Sequence, residues 1–270
     1  MESLVLTRYL FSLDEVRQTL YIEILERNYE AALYWCYELY WSGYIEETFE
    51  FLLNAYDEVF EVNDLFKDKF EGEYKKWKDD NSLHETIGNI VINMCFRKYN
   101  ISKFILKYFK LNCKEKEIKY EESLLYINLS KLDIKEFETV TQLNNYKVLK
   151  EVCKYDLRTE VNKIFEYEID KKEQLENVRL NWEIYAYNCP YWKLKMTEHG
   201  GYLDNNKIKF NKVEDEEDFY NLYDLELDEQ PKWVQDRCIG KETKNISIKK
   251  FIEKYNGVIL SSKLKKKITI

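Results

Sequence analysis

The residues with the most obvious chemical potential are His84 and Glu85, because they begin like the HExxH motif of zinc proteases. That motif needs a second histidine one helical turn later, so that two imidazoles bind one zinc ion from the same face. Gly88 stands at that position. The sequence therefore predicts an exposed first-turn histidine here and no metal site. The other histidine, His199, precedes a glycine pair and is predicted to lie in a loop, and neither histidine has a nucleophile in a recognisable turn.

The strongest concentration of charge is the segment 214–229, which holds nine acidic residues and no basic one. Its first five residues lack the alternation of ligands and glycine that a calcium loop needs. We interpret them as the solvated start of a helix and as a candidate docking site for a basic partner surface. These candidate partner-binding residues are Glu214, Asp215, Glu216, Glu217 and Asp218. No glycine pattern for binding phosphate occurs either. We therefore predict no catalytic residue, no cofactor and no enzymatic activity.

Aromatic and small apolar side chains surround almost the whole of one predicted helix, YEAALYWCYELYWSGY at residues 29–44. A helix that is apolar all round is buried in a larger core or covered by a partner, so this helix needs two neighbours. One stripe at helical spacing consists of Ala32, Trp35, Cys36 and Leu39. A second stripe, our other candidate partner-binding face, consists of Tyr34, Tyr37 and Trp41. Core packing and a helix-in-groove contact are the two interpretations of this stripe.

The composition indicates a folded, mainly helical protein. Aromatic residues make up 16% of the 270 residues, whereas glycine occurs 7 times and proline twice, and this scarcity of helix breakers favours long helices. The net charge is −8, and without the acidic segment 42 basic residues face 41 acidic ones. A neutral surface with one acidic band argues against a general nucleic-acid binder. Six dispersed cysteines, no leader and no bilayer-length apolar run predict a protein of the reducing cytosol without membrane association.

The apolar periodicity predicts an all-α protein, either an irregular helical bundle or a HEAT-like helical array, in two lobes. The apolar pattern is lost between residues 112 and 122, which separates an N-terminal lobe, 1–111, from a C-terminal lobe, 123–270. One minor β-hairpin is expected near 202–210, with Tyr202 and Leu203 opposite Ile208 and Phe210. The predicted helices are 12–27, 29–42, 45–60, 64–78, 83–98, 101–109, 124–129, 134–143, 146–155, 158–187 (ended by Pro190), 233–239 and 248–255.

The pattern EAALYWCYELYWSGYIEETFEFL, residues 30–52, resembles an uncharacterised helical protein family of giant, nucleocytoplasmic large DNA viruses. The resemblance extends through WEIYAYNCPYW (182–192), DEEDFYNLY (215–223) and QPKWVQDRCIG (230–240), so it covers most of the chain. It implies a viral protein made in the cytoplasm or virus factory of an infected cell, and it brings no catalytic residues with it. Together with the aromatic and acidic surfaces, it leads us to expect a non-catalytic viral adaptor or scaffold that binds another protein.

A shorter stretch, residues 28–41, is similar to the helical collar of clamp-loader-like ATPases and to the helical repeats of translation-initiation scaffolds. This similarity implies the alternative function, an accessory factor of the machinery for replication, transcription or translation, without the ATPase activity. A basic stripe of Lys103, Lys107, Lys110 and Lys114, together with the basic C-terminal tail, is the feature that would support it.

Overall fold

The computed structural model describes residues 4–60, 64–115, 125–140, 153–158, 181–223, 246–255 and 257–259. Within these ranges the chain forms eleven α-helices and two pairs of short antiparallel strands, which confirms the predicted helical class. The elements in chain order are α1 (Leu13–Glu26), α2 (Tyr29–Trp41), α3 (Ile45–Val59), α4 (Asp64–Asp79), α5 (Glu85–Cys95), α6 (Ser102–Phe109), β1 (Cys113–Glu115), α7 (Lys131–Glu138), α8 (Trp182–Ala186), α9 (Pro190–Glu198), β2 (Gly201–Asp204), β3 (Lys207–Phe210), α10 (Val213–Tyr223), α11 (Ile248–Lys254) and β4 (Gly257–Ile259).

The aromatic helix α2 lies at the centre of the described core. It packs against α1, α3, α5 and α7, which confirms the prediction that an all-round apolar helix has neighbours on more than one side. Gly43 ends the helix with a φ of 97°, a conformation that glycine adopts without steric cost. Gly43 N donates to Tyr40 O at 3.0 Å and Tyr44 N donates to Leu39 O at 3.2 Å. These two bonds form a Schellman motif, as expected for a glycine one position beyond the cap.

A buried ion pair connects α2 with segments of both predicted lobes. Arg8 Nε lies 2.9 Å from Glu38 Oε2, and both side chains are almost completely buried. Arg8 Nη2 also donates to Phe137 O at 2.7 Å, and Trp192 Nε1 donates to Arg8 O at 3.1 Å. Burial raises the pKa of Glu38, and the charge of Arg8 opposes that rise. The chain between residues 116 and 124, where the lobe boundary was predicted, lies outside the described residues.

Glu26, at the end of α1, is the point where two later segments attach. Arg158 donates two hydrogen bonds to its carboxylate, from Nη1 at 2.9 Å and from Nη2 at 2.6 Å. Tyr255 Oη donates to Oε1 at 2.9 Å. Lys254 forms a further ion pair with the same oxygen. Burial by itself would raise the pKa of Glu26, but the hydrogen bonds from Arg158 and Lys254 outweigh it and lower the pKa from 4.5 to about 2.

The predicted hairpin is present as β2 and β3, with Leu203 opposite Ile208. The expected register is otherwise wrong, because Tyr202 faces Lys209, while Phe210 faces Gly201. The connection has only two residues, Asn205 and Asn206, whose φ angles of 49° and 58° are those of a type I′ turn. A second antiparallel pair, β1 with β4, joins positions more than 140 residues apart in the chain and was not predicted.

Three helix predictions also differ from the structure. The helix predicted at 134–143 begins and ends earlier, as α7 at Lys131–Glu138. Pro190 does not end a helix but occupies the first turn of α9, where its missing N–H is not needed. Residues 125–130, assigned to a helix from 124 to 129, contain no regular secondary structure. The predicted helices 146–155, 158–187 and 233–239 lie wholly or mostly outside the described residues.

Candidate functional site

The aromatic stripe of α2 divides between core and half-buried positions. Tyr37 is fully buried, its ring stacks on Phe137 at 5.1 Å, and its hydroxyl donates to His84 O at 3.0 Å. Tyr34 is half-buried, and its ring contacts Tyr9 at 6.4 Å and Tyr155 at 5.4 Å. Because these contacts all come from the same chain, the stripe is used mainly for internal packing, and Tyr37 is not presented to a partner.

Trp41 lies on the other side of α2, half-buried beside His84, with the two ring centroids 4.8 Å apart. His84 stands just before α5 and is half-buried rather than exposed. Its Nδ1 lies 2.7 Å from Tyr40 Oη, and Trp77 Nε1 donates to the same hydroxyl at 3.1 Å. Since the indole N–H can only donate, the Tyr40 hydroxyl accepts from Trp77 and keeps its own hydrogen available for Nδ1 of His84. The arrangement orders the α2–α5 contact.

The acidic residues form the first half of α10, as predicted. Glu214, Glu216, Glu217 and Asp218 are exposed, and Asp215 is half-buried. The helix is held by Phe219, which is fully buried and contacts Trp182 and Phe210. The structure therefore places the acidic turn with α8 and the hairpin, and does not bring it together with the aromatic stripe.

The most distinctive arrangement lies between α4 and α5, where the non-helical segment 125–129 is held by a line of side chains. Asn93 exchanges two hydrogen bonds with the main chain of Ile127: Ile127 N donates to Oδ1 at 2.9 Å and Nδ2 donates to Ile127 O at 2.7 Å. Leu129 N donates to Asn89 Oδ1 at 2.7 Å. Arg97 Nη2 donates to Leu125 O at 2.6 Å. We call Asn89, Asn93 and Arg97 the side-chain ladder, and the space between α4 and α5 that it lines the α4–α5 groove.

The side-chain ladder can bind an extended main chain because the spacing of its positions along the helix nearly equals the spacing of every second residue along an extended chain. Asn89 and Asn93 are four residues apart, about 6 Å along a helix, whereas two residues of an extended chain advance about 6.6 Å. Successive ladder positions therefore bind every second residue of the segment, namely Leu129, Ile127 and Leu125. The segment runs antiparallel to α5. Arg97 lies just beyond the end of α5, and its long side chain takes up the accumulated difference of about 1 Å.

Neighbouring groups fix the orientation of the two amides. Asn89 Nδ2 donates to Glu73 Oε2 at 3.0 Å, which turns Oδ1 towards the segment. Glu73 is buried on α4, and its other oxygen accepts from Lys76 Nζ at 2.7 Å. Asn93 Nδ2 also donates to Asn89 O at 2.7 Å, and Arg97 donates to Asn93 Oδ1 at 3.2 Å. The donors and acceptors of the ladder are thus pre-set for a main chain.

Two side chains of the segment enter the groove. The Tyr126 ring stacks on Phe66 at 6.5 Å and contacts Phe70 at 6.3 Å, while Lys69 Nζ lies 4.9 Å from its centroid. Burial, followed by the nearby charge of Glu73, raises the pKa of Tyr126. We call this set of contacts the aromatic pocket.

Leu129 fits over the only helical position of α5 that lacks a side chain, Gly88. A Cβ atom there would lie 2.7 Å from Leu129 Cδ1 and 2.5 Å from Tyr37 Oη. Both distances are shorter than van der Waals contact, so glycine is required for this close approach.

A signal for the ladder is present in the sequence but was missed. Asn89 and Asn93 stand four residues apart on a helix whose neighbouring positions, Ile90, Val91 and Met94, are fully buried. Two buried amides on one face must find hydrogen-bond partners, and an extended main chain supplies them at the matching interval.

The basic stripe proposed for nucleic-acid contact is partly neutralised. Lys107 forms an ion pair with Glu58, and Lys110 Nζ donates to Lys107 O at 2.7 Å. In the part of the chain that the structure describes, no three histidine, cysteine or acidic side chains are grouped as a metal site would need. None of the described helices combines the length and the apolar character needed to span a bilayer.

Comparisons with known protein families, with curated proteins and with solved structures find no match to this chain. The giant-virus origin implied by the resemblance therefore stays a prediction, and the function has to be argued from the geometry of the chain itself.

Proposed function

We propose that this chain is a non-catalytic adaptor that binds another protein by holding an extended polypeptide segment in the α4–α5 groove. The observation that carries the proposal is the set of hydrogen bonds from the side-chain ladder to the main chain of Leu125, Ile127 and Leu129. Main-chain recognition selects extended conformation rather than one sequence, and it is the means by which strand-addition domains bind their partners. Here a helix supplies the binding groups that a sheet edge supplies in those domains.

The chemistry of the groove favours binding over catalysis. Glu73, a buried carboxylate on α4, accepts from Asn89 and Lys76. The ladder itself consists of two amides and a guanidinium, none of which takes up or releases a proton near neutral pH. Such groups orient and hold a peptide, and a scaffold of many short helices positions them. We propose the irregular helical bundle as the arrangement of this scaffold.

The proposed place of action is the cytoplasm of an infected cell, which is what the resemblance to the giant-virus family implies. The alternative function, a nucleic-acid accessory factor, predicts a different dependence on salt, because contacts with phosphate weaken steeply as the ionic strength rises. The two proposals can therefore be separated in one experiment.

The test is affinity purification of the tagged full chain from infected cells, at two salt concentrations and with nuclease treatment, followed by mass spectrometry. Ile127→Pro, which removes the N–H that binds Asn93 and so displaces the internal segment, is the reference chain. Asn93→Ala and Asn54→Ala, a matched substitution at an exposed position of α3, are each added to it, because in the native chain the loss of Asn93 weakens the internal segment and the partner alike. We expect the reference chain, with or without Asn54→Ala, to capture a protein that survives nuclease and high salt, and the folded chain with Asn93→Ala to capture at least tenfold less of it. Equal capture by Asn93→Ala, or loss of every partner on nuclease or salt treatment, would refute the proposal.

A further inference from the structure

The segment that occupies the groove is an imperfect ligand in the aromatic pocket. The hydroxyl of Tyr126 is buried and has no hydrogen-bond partner among the described residues. The ring itself fits well, because it contacts Phe66 and Phe70 and lies under Lys69. An orphaned buried hydroxyl is unfavourable, and the same ring without the hydroxyl avoids that cost. The pocket is therefore better matched to phenylalanine than to tyrosine.

A second mismatch lies at the other end of the ladder. Glu85 is four residues before Asn89, so it stands where a further ladder position is expected. Its Oε2 atom is buried without a hydrogen-bond partner among the described residues. The segment does not reach this position as an extended chain, because Ser130 N donates to Asp133 Oδ2 at 2.7 Å and α7 begins at Lys131. An extended chain that continued for two more residues would present an N–H to Glu85.

We propose, on the basis of the proposed function, that segment 125–129 is a weak internal occupant that a partner segment replaces. That partner is an extended polypeptide with phenylalanine at the position of Tyr126 and at least two further extended residues after the position of Leu129. The side-chain ladder holds its main chain, the aromatic pocket selects its phenylalanine, and Glu85 accepts from its additional N–H. Because Lys69 Nζ lies 4.9 Å from the centroid of the ring in the pocket, an aromatic ring is preferred there over an aliphatic side chain.

The internal segment also sets how tightly the partner binds. A segment attached to the same chain competes at an effective concentration on the order of millimolar. The apparent affinity for the partner is reduced by the fraction of molecules in which the groove is open. A change that weakens only the internal segment must therefore strengthen binding of an external peptide, and this separates a shared groove from two unrelated sites.

The test measures the binding of labelled peptides to the full chain by fluorescence anisotropy. The probes are a peptide with the sequence of residues 124–132 and the same peptide with phenylalanine in place of tyrosine. The protein variant Ile127→Pro opens the groove, since proline has no N–H to donate to Asn93. A second opened variant, Tyr126→Ala, empties the aromatic pocket instead. The matched control is Asn128→Ala, which changes an exposed side chain of the same segment.

We expect the phenylalanine peptide to bind each folded opened variant about fivefold more tightly than the tyrosine peptide does. We expect the phenylalanine peptide to bind the wild type and Asn128→Ala at least tenfold more weakly than it binds the opened variants. Adding Asn93→Ala to an opened variant should abolish binding. Equal affinity for the two peptides, or no binding to a folded opened variant, would overturn the inference. The adaptor function is judged separately by partner capture from infected cells. Capture that depends on Asn93 can be observed even when the two peptides bind equally, and a preference for phenylalanine can be observed even when no partner is captured.

Discussion

Replacing Asn93 by alanine removes the central position of the side-chain ladder and should destabilise the protein by about 2–3 kcal/mol. Asn93 is fully buried and makes two hydrogen bonds with the main chain of Ile127, at 2.9 Å and 2.7 Å. Each contributes about 0.5–1.5 kcal/mol net, and Arg97 loses a further acceptor at 3.2 Å. Ile127 is half-buried, so water can replace part of the lost hydrogen bonding to its main chain. The higher helix propensity of alanine reduces the destabilisation by about 0.5 kcal/mol.

The assay is urea unfolding followed by circular dichroism, with Asn54→Ala as the control, which should stay within about 0.5 kcal/mol of the wild type. Asn93→Asp adds a sharper comparison, because aspartate has nearly the same shape as asparagine but cannot donate to Ile127 O when ionised. We expect Asn93→Asp to destabilise the protein less than Asn93→Ala, because the carboxylate still accepts from Ile127 N and pairs with Arg97. A free energy of unfolding for Asn93→Ala within about 0.5 kcal/mol of the wild type would refute the argument from hydrogen bonding.

Three further predictions concern stability. Tyr126→Phe removes an orphaned hydroxyl and should leave the thermal midpoint unchanged or higher, whereas Tyr44→Phe, which loses a 2.9 Å hydrogen bond, should lower it. Gly88→Ala should lower the midpoint, because crowding of Tyr37 Oη and Leu129 Cδ1 costs about 1–3 kcal/mol and exceeds the gain in helix propensity of roughly 1 kcal/mol; an unchanged midpoint would contradict the close approach. The folded pKa of Glu26 lies below its ordinary value of 4.5, at about 2, so its stabilising contribution is complete above 4.5 and is lost as the pH falls towards 2. Urea unfolding of wild type and Glu26→Gln should therefore differ most at about pH 6 and least at the acid end of this range, and a constant difference would contradict the assignment.

The central helix and the hairpin illustrate what local signals can predict. The C-terminal bound of α2 follows from Gly43, whereas Asn28 occupies the N-cap position without a side-chain hydrogen bond to the helix. The burial of α2 follows from apolar side chains on every face. The hairpin follows from two short β-prone runs around a polar turn. Only part of its register is predicted: the turn contains two residues, Asn205 and Asn206, and Asp204 pairs with Lys207, so the pairs before Leu203 and Ile208 are Tyr202 with Lys209 and Gly201 with Phe210.

The misses come from long-range contacts. The run LLYINL, residues 124–129, has helix-like apolar content, and nothing within it shows that Asn89 and Asn93 bind its main chain. The pairing of β1 with β4 involves three residues from each of two distant segments, too few for a periodic signal. The apolar pattern places Pro190 at a helix end, although proline is also common in the first turn of a helix, and the residues before it do not decide between these two roles.

The most direct test of the account is amide hydrogen exchange at Ile127 and Leu129, measured in the free chain and at saturation with the phenylalanine peptide. In the free chain both amides donate to the ladder and should be protected. The account predicts that saturating peptide removes this protection, because the peptide takes the place of the internal segment. Protection that persists at saturation would show that the peptide binds elsewhere, and would contradict the claim that the α4–α5 groove holds a partner's extended chain.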